Sequence, residues 1–424
     1  MRKAFKYRLY PNQTTRKQLS FVLARCRELY NAALSERKDA YQLHQRTMVQ
    51  VHPETGTAVA ATMAANLRVR KVNYYEQKRD LVEIKQMREE YQQIASHVLQ
   101  DVLLRLSRAF DAFFRRVTNG ETPGFPRFQG RNRYDSFTYP DGAGWKLTVE
   151  EQGKKLKGTL YLTHIGESTI TLHRPIEGKI NTVTIKREVD EWYVIFSCEV
   201  AAPEKLPISS EEVGIDLGVT HLATLSNGEM IEHPRYYRKA KKTLEKRQQA
   251  LSRKKKGSHR RERARQLIGK AHRKIARQRR DFHHKQSRKL VERYQMIVFE
   301  DIRMANLTRR PKPKQDETTG QYLPNGAAAK GGLNTSMLDA GWGAFVGMCI
   351  CKAAWAGRTL VKVNPQFTSQ MCSGCGQVRK KDLSERWHSC ECGTELDRDV
   401  NAAINILARG KQVLARKEPT RATA

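Results

Sequence analysis

A carboxylate inside an apolar strand is the feature that narrows the fold most. Asp216 lies in Val213-Gly-Ile-Asp-Leu-Gly-Val219, a short aliphatic run that predicts a buried strand. A charge there costs on the order of a few kcal/mol unless a cation or hydrogen-bond donors compensate it. The flanking glycines let another group approach the backbone closely. Glu300 closes a second apolar run, Met296-Ile-Val-Phe-Glu300, and Asp399 sits in Leu396-Asp-Arg-Asp-Val-Asn-Ala-Ala403, just before the helical run Ala402–Leu407. Singly, each has an ordinary explanation. Asp216 could pair with an arginine, Glu300 could end a strand, and Asp397 or Asp399 could cap a helix. Together, two strand-end acids and one at a helix start can meet at one edge of a sheet in an α/β domain. Such a cluster repels itself unless divalent cations occupy it. Hard oxygen ligands suit Mg2+ or Mn2+, and two such ions about 4 Å apart serve phosphodiester hydrolysis.

Gly-Ile-Asp-Leu-Gly also opens actin-like and chaperone-type ATPases, but these need a second glycine-rich phosphate loop. Gly331-Gly332 follows Lys330 in a predicted loop that leads into no phosphate cradle, which sets the ATPase reading aside.

Charge names the partner class. The 424 residues hold 78 Lys+Arg against 44 Asp+Glu, a formal net charge of +34. A surface this cationic points to a bound polyanion, nucleic acid above all. A membrane surface also attracts basic proteins, but that reading needs amphipathic basic helices or lipidation signals. The N-terminus, Met1-Arg-Lys-Ala-Phe-Lys-Tyr-Arg, does not read as a signal peptide. The longest nearly uncharged stretch, Ala340–Ile350, is short for a bilayer span and reads as a buried helix. A soluble, cytoplasmic, nucleoid-associated protein without a membrane partner is expected.

The length suggests two or three domains. Residues 2–10 alternate like a strand, broken by Pro11-Asn12. Residues 13–120 turn helical: Leu19, Val22, Leu23, Cys26, Leu29, Tyr30 and Ala33 recur at three- and four-residue steps, as do Val98, Val102, Leu106, Phe110, Phe113 and Phe114. A loop is expected at His52–Gly56. After Pro123-Gly-Phe-Pro126, residues 134–200 read as strands. Segments 1–12 and 121–205 therefore form one β-rich domain, with the 13–120 helices inserted in it and Ala201–Pro207 as the way out. Residues 206–407 follow as an α/β domain, with Thr308–Gly332 a flexible loop and 408–424 a flexible tail. Within the α/β domain, segment 235–280 holds 21 Lys/Arg and two acids, Glu245 and Glu262, or +19. Leu267, Ala271, Ile275, Gln278 and Phe282 space like a helical stripe, which predicts helices with a basic outer face.

Cys372-Ser-Gly-Cys375 and Cys390-Glu-Cys392 supply four thiolates, each pair followed by Gly. Such turns suit one tetrahedral Zn2+ in a structural role within an insert at 370–395. The second knuckle is one residue short, with His388 nearby as a substitute ligand. Cys26, Cys198, Cys349 and Cys351 lie in apolar contexts and read as core.

Asp216 in Gly-Ile-Asp-Leu-Gly, Glu300 in Val-Phe-Glu-Asp, the four-cysteine knuckle and Asp-Arg-Asp-Val-Asn-Ala-Ala, in that order, resemble the RuvC nuclease domain of TnpB proteins. These are transposon-encoded RNA-guided DNA endonucleases related to type V CRISPR effectors. Tyr7-Arg-Leu-Tyr-Pro11, Arg27-Glu-Leu-Tyr-Asn31, Gly124-Phe-Pro-Arg-Phe128 and Asp339-Ala-Gly-Trp-Gly343 extend the likeness along nearly the whole chain. The resemblance implies a β-barrel-like wedge domain, inserted recognition helices, and an RNase H-like (RuvC) nuclease domain carrying a zinc ribbon. It implies Asp216, Glu300 and Asp399 as catalytic ligands of two Mg2+ (or Mn2+) ions, with Asp397 orienting the turn. The implied partners are a guide RNA from the transposon end and double-stranded target DNA, with a monomer favoured. The alternatives are a nuclease-inactive RNA-guided DNA-binding repressor and a DNA strand-transfer transposase.

Overall fold

The computed structural model describes residues 1–49, 72–152, 155–382 and 385–416; the loop expected at His52–Gly56 lies outside them. The chain divides into two compact units, Met1–Ala201 and Ala202–Ala424.

The first unit is built on an antiparallel sheet of strands β1 (Arg2–Tyr10), β2 (Ser136–Tyr139), β3 (Trp145–Gln152), β4 (Lys155–Leu162), β5 (Gly166–Leu172), β6 (Lys179–Glu188) and β7 (Glu191–Glu199). Their order is β2-β6-β7-β1-β5-β4-β3. It is a half-barrel, open at β2 and β3, and not a closed one. The first strand lies between β7 and β5, with Phe5, Tyr7 and Leu9 buried on one face in the two-residue rhythm of a half-buried strand. Helix α1 (Gln13–Val49) starts where Pro11 ends the strand, and the Asn12 side chain accepts the Thr15 N–H (2.8 Å) as its cap. Helices α2 (Tyr74–Met87) and α3 (Ser96–Thr118) follow. The seven residues Leu19 to Ala33 that predict the inner face of α1 are all buried, as are Val98, Val102, Leu106 and Phe110 of α3, in one core with the sheet. Phe114 is exposed.

In the second unit, β8 (Glu212–Asp216), β9 (His221–Leu225), β10 (Met230–Glu232), β11 (Met296–Glu300) and β12 (Thr359–Val363) form a sheet ordered β10-β9-β8-β11-β12. Strands β8, β11 and β12 run parallel, while β9 pairs antiparallel with β8 and β10 antiparallel with β9. β11 is buried on both faces, as its unbroken apolar sequence requires. Ile297 and Phe299 join Leu290, Val291 and Phe345 on one side. Met296 and Val298 join Ile406 on the other. The long helices are α4 (Tyr236–Ser252), α5 (His259–Arg293), α6 (Ala327–Ala340), α7 (Trp342–Ala356) and α8 (Arg398–Ala415).

Several expectations change here. Gly331 and Gly332 lie inside α6, whose Ala327-Ala-Ala start favours helix, and not in a loop. Residues 408–415 are no tail: α8 continues to Ala415 because Gly410 seats against Val298, where a Cβ would come within 2.4 Å, and Val413 and Leu414 join the core. Leu267 is exposed, so the core-facing stripe of α5 is carried by Ile275, Phe282, Leu290 and Val291. Cys351 is exposed as well, unlike Cys26, Cys198 and Cys349. The apolar stretch 327–356 passes the length and composition test for a membrane span. It is nevertheless broken at Gly341, in left-handed backbone (φ 68°), and buries Phe345, Val346 and Cys349 against the sheet.

Candidate functional site

Asp216 is the last residue of β8 and Glu300 the last of β11. The strands are parallel neighbours in a register that pairs Ile215 with Phe299, so both carboxylates leave the same carboxyl-terminal edge. This is the edge where open α/β sheets gather their ligands. The third acid arrives on α8. That helix lies on the β8 backbone so closely that a Cβ on Gly214 would meet the Ala403 carbonyl at 2.1 Å. Asp216 is two residues beyond Gly214, about 7 Å along the strand. Asp399 is one turn before Ala403, about 6 Å along the helix. Glycine at 214 is thus a condition for that approach.

Local chemistry fixes each acid. Asp397 is the N-cap of α8, accepting the N–H groups of Asp399 (2.8 Å) and Val400 (3.2 Å), which matches its expected role in orienting the turn. Arg398 reaches Asp399 at 3.4 Å. The Thr368 hydroxyl bonds to Glu300, and the Asn405 amide donates to the Thr368 carbonyl (2.9 Å). Burial, then the charges of Glu300 and Asp399, push the Asp216 carboxyl up to about 8, against the pull of Arg398. Burial likewise raises Glu300, opposed by Thr368 and Arg409. The edge therefore holds more acid than it can ionise unaided, which is the electrostatic condition for cation binding. The three carboxylates are not drawn as close as the cysteines below. They need not be: two ions about 4 Å apart, each about 2.1 Å from its oxygens, leave oxygens up to roughly 8 Å apart.

The four cysteines are the group of metal-capable side chains, among the described residues, whose ligand atoms all fall within 4.8 Å of one another. Cys372 Sγ and Cys392 Sγ are 3.6 Å apart, as are Cys375 Sγ and Cys390 Sγ. The shortened second knuckle closes because the hairpin of β13 (Trp387–Ser389) and β14 (Glu395–Asp397) turns through Gly393 at φ 85°. His388 is not needed as a ligand; its Nδ1 faces Lys381. Burial opposes ionisation of Cys372, yet the amides of Cys375 and Gly374 and the His388 side chain outweigh it and bring the thiol down to about 5. Cys375 receives the Gln377 amide, but the neighbouring thiols push it up to about 12. Four sulfurs sharing one space cannot all ionise without a cation, and the set fits a structural Zn2+. The cluster also reaches α8. β14 runs directly into it, and the side chain of Asn401, two residues from Asp399, accepts the Ser373 N–H (2.9 Å) and donates to the Met371 carbonyl (2.7 Å).

Sequence reasoning overlooked Thr368, Asn401 and Asn405. The two asparagines are buried at i, i+4 on the inner face of α8, so polar residues within an apolar stripe were the available signal. It also left Asp339 without a role. This carboxylate, 6 % exposed, accepts the N–H groups of Tyr237 (3.0 Å) and Arg238 (3.3 Å) and pairs with Arg279 (2.9 Å). It caps α4, whose preceding residue Arg235 supplies no side-chain cap. Three residues on, the Trp342 indole donates to the Gly218 carbonyl (3.2 Å). The junction 339–342 thus ties the basic helices α4 and α5 to the loop that follows Asp216.

Comparison with known proteins identifies the family. A family described as "Probable transposase" matches residues 195–310 and a Cas12f1-like TNB domain matches 342–406. A helix-turn-helix domain matches 1–46, a stretch that is here one strand and one long helix. A Streptomyces pristinaespiralis protein named "Putative RNA-guided DNA endonuclease" is 33% identical over 425 residues, covering 97% of this chain and 90% of that protein. InsQ of Escherichia coli K12, with the same description, is 34% identical over 322 residues, 76% of each. Among solved structures, Cas12f1 in its complex with sgRNA and target DNA superposes with a TM-score of 0.52 at 14% identity, over 92% of this chain and 81% of that one. A mini-RNA-guided endonuclease, CRISPR-Cas_phi3, gives 0.50 at 10% identity over 96% and 92%. At these identities the two structures speak for the fold alone, a multidomain α+β architecture. Identity of this order along nearly the full length of the Streptomyces relative decides the matter: the chain belongs to the TnpB family of transposon-encoded RNA-guided DNA endonucleases.

Proposed function

We propose that the chain is a guide-RNA-bound endonuclease that cuts matching double-stranded DNA, with Asp216, Glu300 and Asp399 as its catalytic carboxylates. The observation that carries the site is the pairing of two strand-end acids on adjacent parallel strands, with Asp216 pushed up to about 8 by burial and then by the charges of Glu300 and Asp399. Two Mg2+ or Mn2+ ions would supply an activated water and stabilise the leaving oxygen. Asp216, Glu300 and Asp399 would hold them, Thr368 and Asn405 would orient Glu300, and Asp397 would fix Asp399 by capping α8. The strand order of the second unit, antiparallel across β10-β9-β8 and parallel across β8-β11-β12 with Asp216 on the central strand, supports an RNase H-like (RuvC) reading. The cysteine insert would hold one Zn2+, whose task is to position α8.

Basic helices α4 and α5 supply phosphate contacts to the RNA and DNA, while base pairing supplies sequence choice. The half-barrel sheet (1–12 and 121–205) and the inserted helices (13–120) are assigned to the RNA scaffold and the motif beside the target. We assign the protein to the cytoplasm, on the nucleoid, as a monomer.

The test is cleavage of a matching DNA duplex by the purified protein–RNA complex in Mg2+. Asp216→Ala and Glu300→Ala should abolish cutting while target binding persists; intact cutting in either would reject the site. The family description leaves a strand-transfer transposase as the second reading, and joined transposon ends in the same assay would favour it.

A further inference from the structure

The loop 217–220 joins β8 to β9 directly after Asp216. Three consecutive carbonyls in it accept side-chain hydrogen bonds from elsewhere in the second unit. Gly218 takes the Trp342 indole N–H (3.2 Å), Val219 takes Nδ1 of His233 (3.3 Å), and Thr220 takes the Arg235 guanidinium (3.3 Å). The donors come from separate places: His233 follows β10, Arg235 precedes α4, and Trp342 opens α7. Carbonyls between strands need partners other than the sheet ladder, and three successive side-chain donors leave this loop little freedom.

Each donor is held where an ordinary core residue would be simpler. Trp342 is 6 % exposed and His233 8 %. With Nδ1 donating to a carbonyl, His233 keeps Nε2 as a bare acceptor, and that nitrogen is buried without a partner; an apolar side chain would not carry that cost. Arg235 has left-handed backbone (φ 51°), which a non-glycine residue keeps only where the surrounding structure imposes it. Trp342 is anchored in turn by α5. Arg279 pairs with Asp339 (2.9 Å), and His283 Nε2 donates to the Ala340 carbonyl (2.9 Å). A Cβ on Gly341 would meet Arg279 at 3.0 Å and His283 at 3.1 Å. What the loop presents is its first N–H: that of Leu217 faces the Asp216 carboxylate and favours its ionised form, so its direction sets how the carboxylate is turned at the sheet edge.

We propose that Trp342, His233 and Arg235 are positioning residues for the carboxylate edge: they fix the loop that aims the Leu217 N–H at Asp216, and thereby set the affinity of the edge for divalent ions. The inference rests on the reading of Asp216 as an ion ligand. Removing a group that orients a metal ligand commonly weakens metal binding by about ten- to a hundredfold. These three act through the loop, which places them at the lower end of that range.

Mn2+ binding by the zinc-loaded full chain is read from the free-ion electron paramagnetic resonance signal, beside the melting temperature and the cutting rate as a function of Mn2+ concentration. Trp342→Phe removes the indole N–H and keeps an aromatic ring. It should weaken Mn2+ binding about tenfold and raise the Mn2+ needed for half-maximal cutting by the same factor, with the rate at saturating Mn2+ within about threefold. His233→Phe should do the same, whereas His233→Asn, which returns a donor to the place of Nδ1, should recover most of the loss. Arg235→Ala should weaken binding about threefold and serves if the buried variants fold poorly. Tyr294→Phe is the control: it removes the bond from Asn227 (3.1 Å) at the opposite end of the same sheet. It should lower the melting temperature about as much as Trp342→Phe does and leave Mn2+ binding unchanged. Unmoved Mn2+ affinity in the Trp342, His233 and Arg235 variants, with binding lost in Asp216→Asn, would overturn the positioning role alone, as would an equal fall in Tyr294→Phe. Binding that survives in Asp216→Asn would instead reject the carboxylate site, and this role with it.

Discussion

The second unit carries two metal-capable sites that solve opposite problems. In the cysteine cluster the ligand atoms are already together, all within 4.8 Å, and the backbone amides of the knuckle with the His388 side chain bring Cys372 down to about 5 against the opposing effect of burial. At the carboxylate edge the ligands are held apart on three rigid elements, and burial pushes Asp216 up to about 8. A soft, closed thiolate set has no open position and can only stabilise. A hard, half-buried carboxylate set at a sheet edge is suited to taking up ions together with a substrate phosphate. Asn401 joins the two, bonding the first knuckle from a place two residues past Asp399, so the structural site can set the geometry of the reactive one.

The largest effect should come from breaking the structural half. Stripping zinc with a strong chelator, or Cys372→Ser, forfeits on the order of 10 kcal/mol of binding energy. It should free zinc in a metal assay, lower the melting temperature and abolish cutting through α8, although none of the three proposed catalytic acids is touched. Next comes the reactive half. Glu300→Gln keeps the shape and the contact to Thr368 but removes a charge, so cutting should fall at least about a thousandfold, as for loss of one preorganised electrostatic group. Zinc content and melting temperature should hold, a separation read by assaying both on one preparation.

Asp339→Ala sharpens the contrast from outside both sites. It uncaps α4 and leaves Arg279, itself partly exposed, without its acid, which should cost about 2–3 kcal/mol in denaturant unfolding. Asp339→Asn, which keeps an acceptor for the α4 cap, should recover about half. The mildest perturbation is pH. Asp216 keeps its proton to higher pH folded than unfolded, where a carboxyl titrates near 4. Without divalent ions, stability should therefore fall between about pH 4 and pH 8 and level off above. The apparent affinity for Mn2+ should rise by up to about tenfold per unit over the upper part of that range, and saturating Mn2+ should flatten the stability profile.

Much of this was legible in the chain itself. Val213–Val219 and Met296–Glu300 announce strands because their apolar runs are unbroken, and the acids that end them stand out for the same reason. The cysteine spacing predicts its cluster directly. What the sequence hides is proximity across long separations. Nothing near Asp339 signals that it caps a helix 102 residues earlier, and Gly214 reveals the close approach of α8 only once Ala403 is seen against it. The helix at 327–340 was obscured by its paired glycines, whose weak propensity is overridden by the alanines before them and by packing at Met337 and Ala340. The end of α8 was hidden because Gly410 resembles a terminator until Val298 is found beneath it.

The central claim is that Asp216, Glu300 and Asp399 jointly take up divalent cations that the protein must pay for with a proton. Calorimetric titration of zinc-loaded protein with Mn2+ at pH 7, in two buffers of different ionisation enthalpy, reads ion number and proton release together. The account predicts two ions per chain with close to one proton released, both lost in Asp216→Asn. Binding that releases no proton, or that survives unchanged in Asp216→Asn, would contradict it.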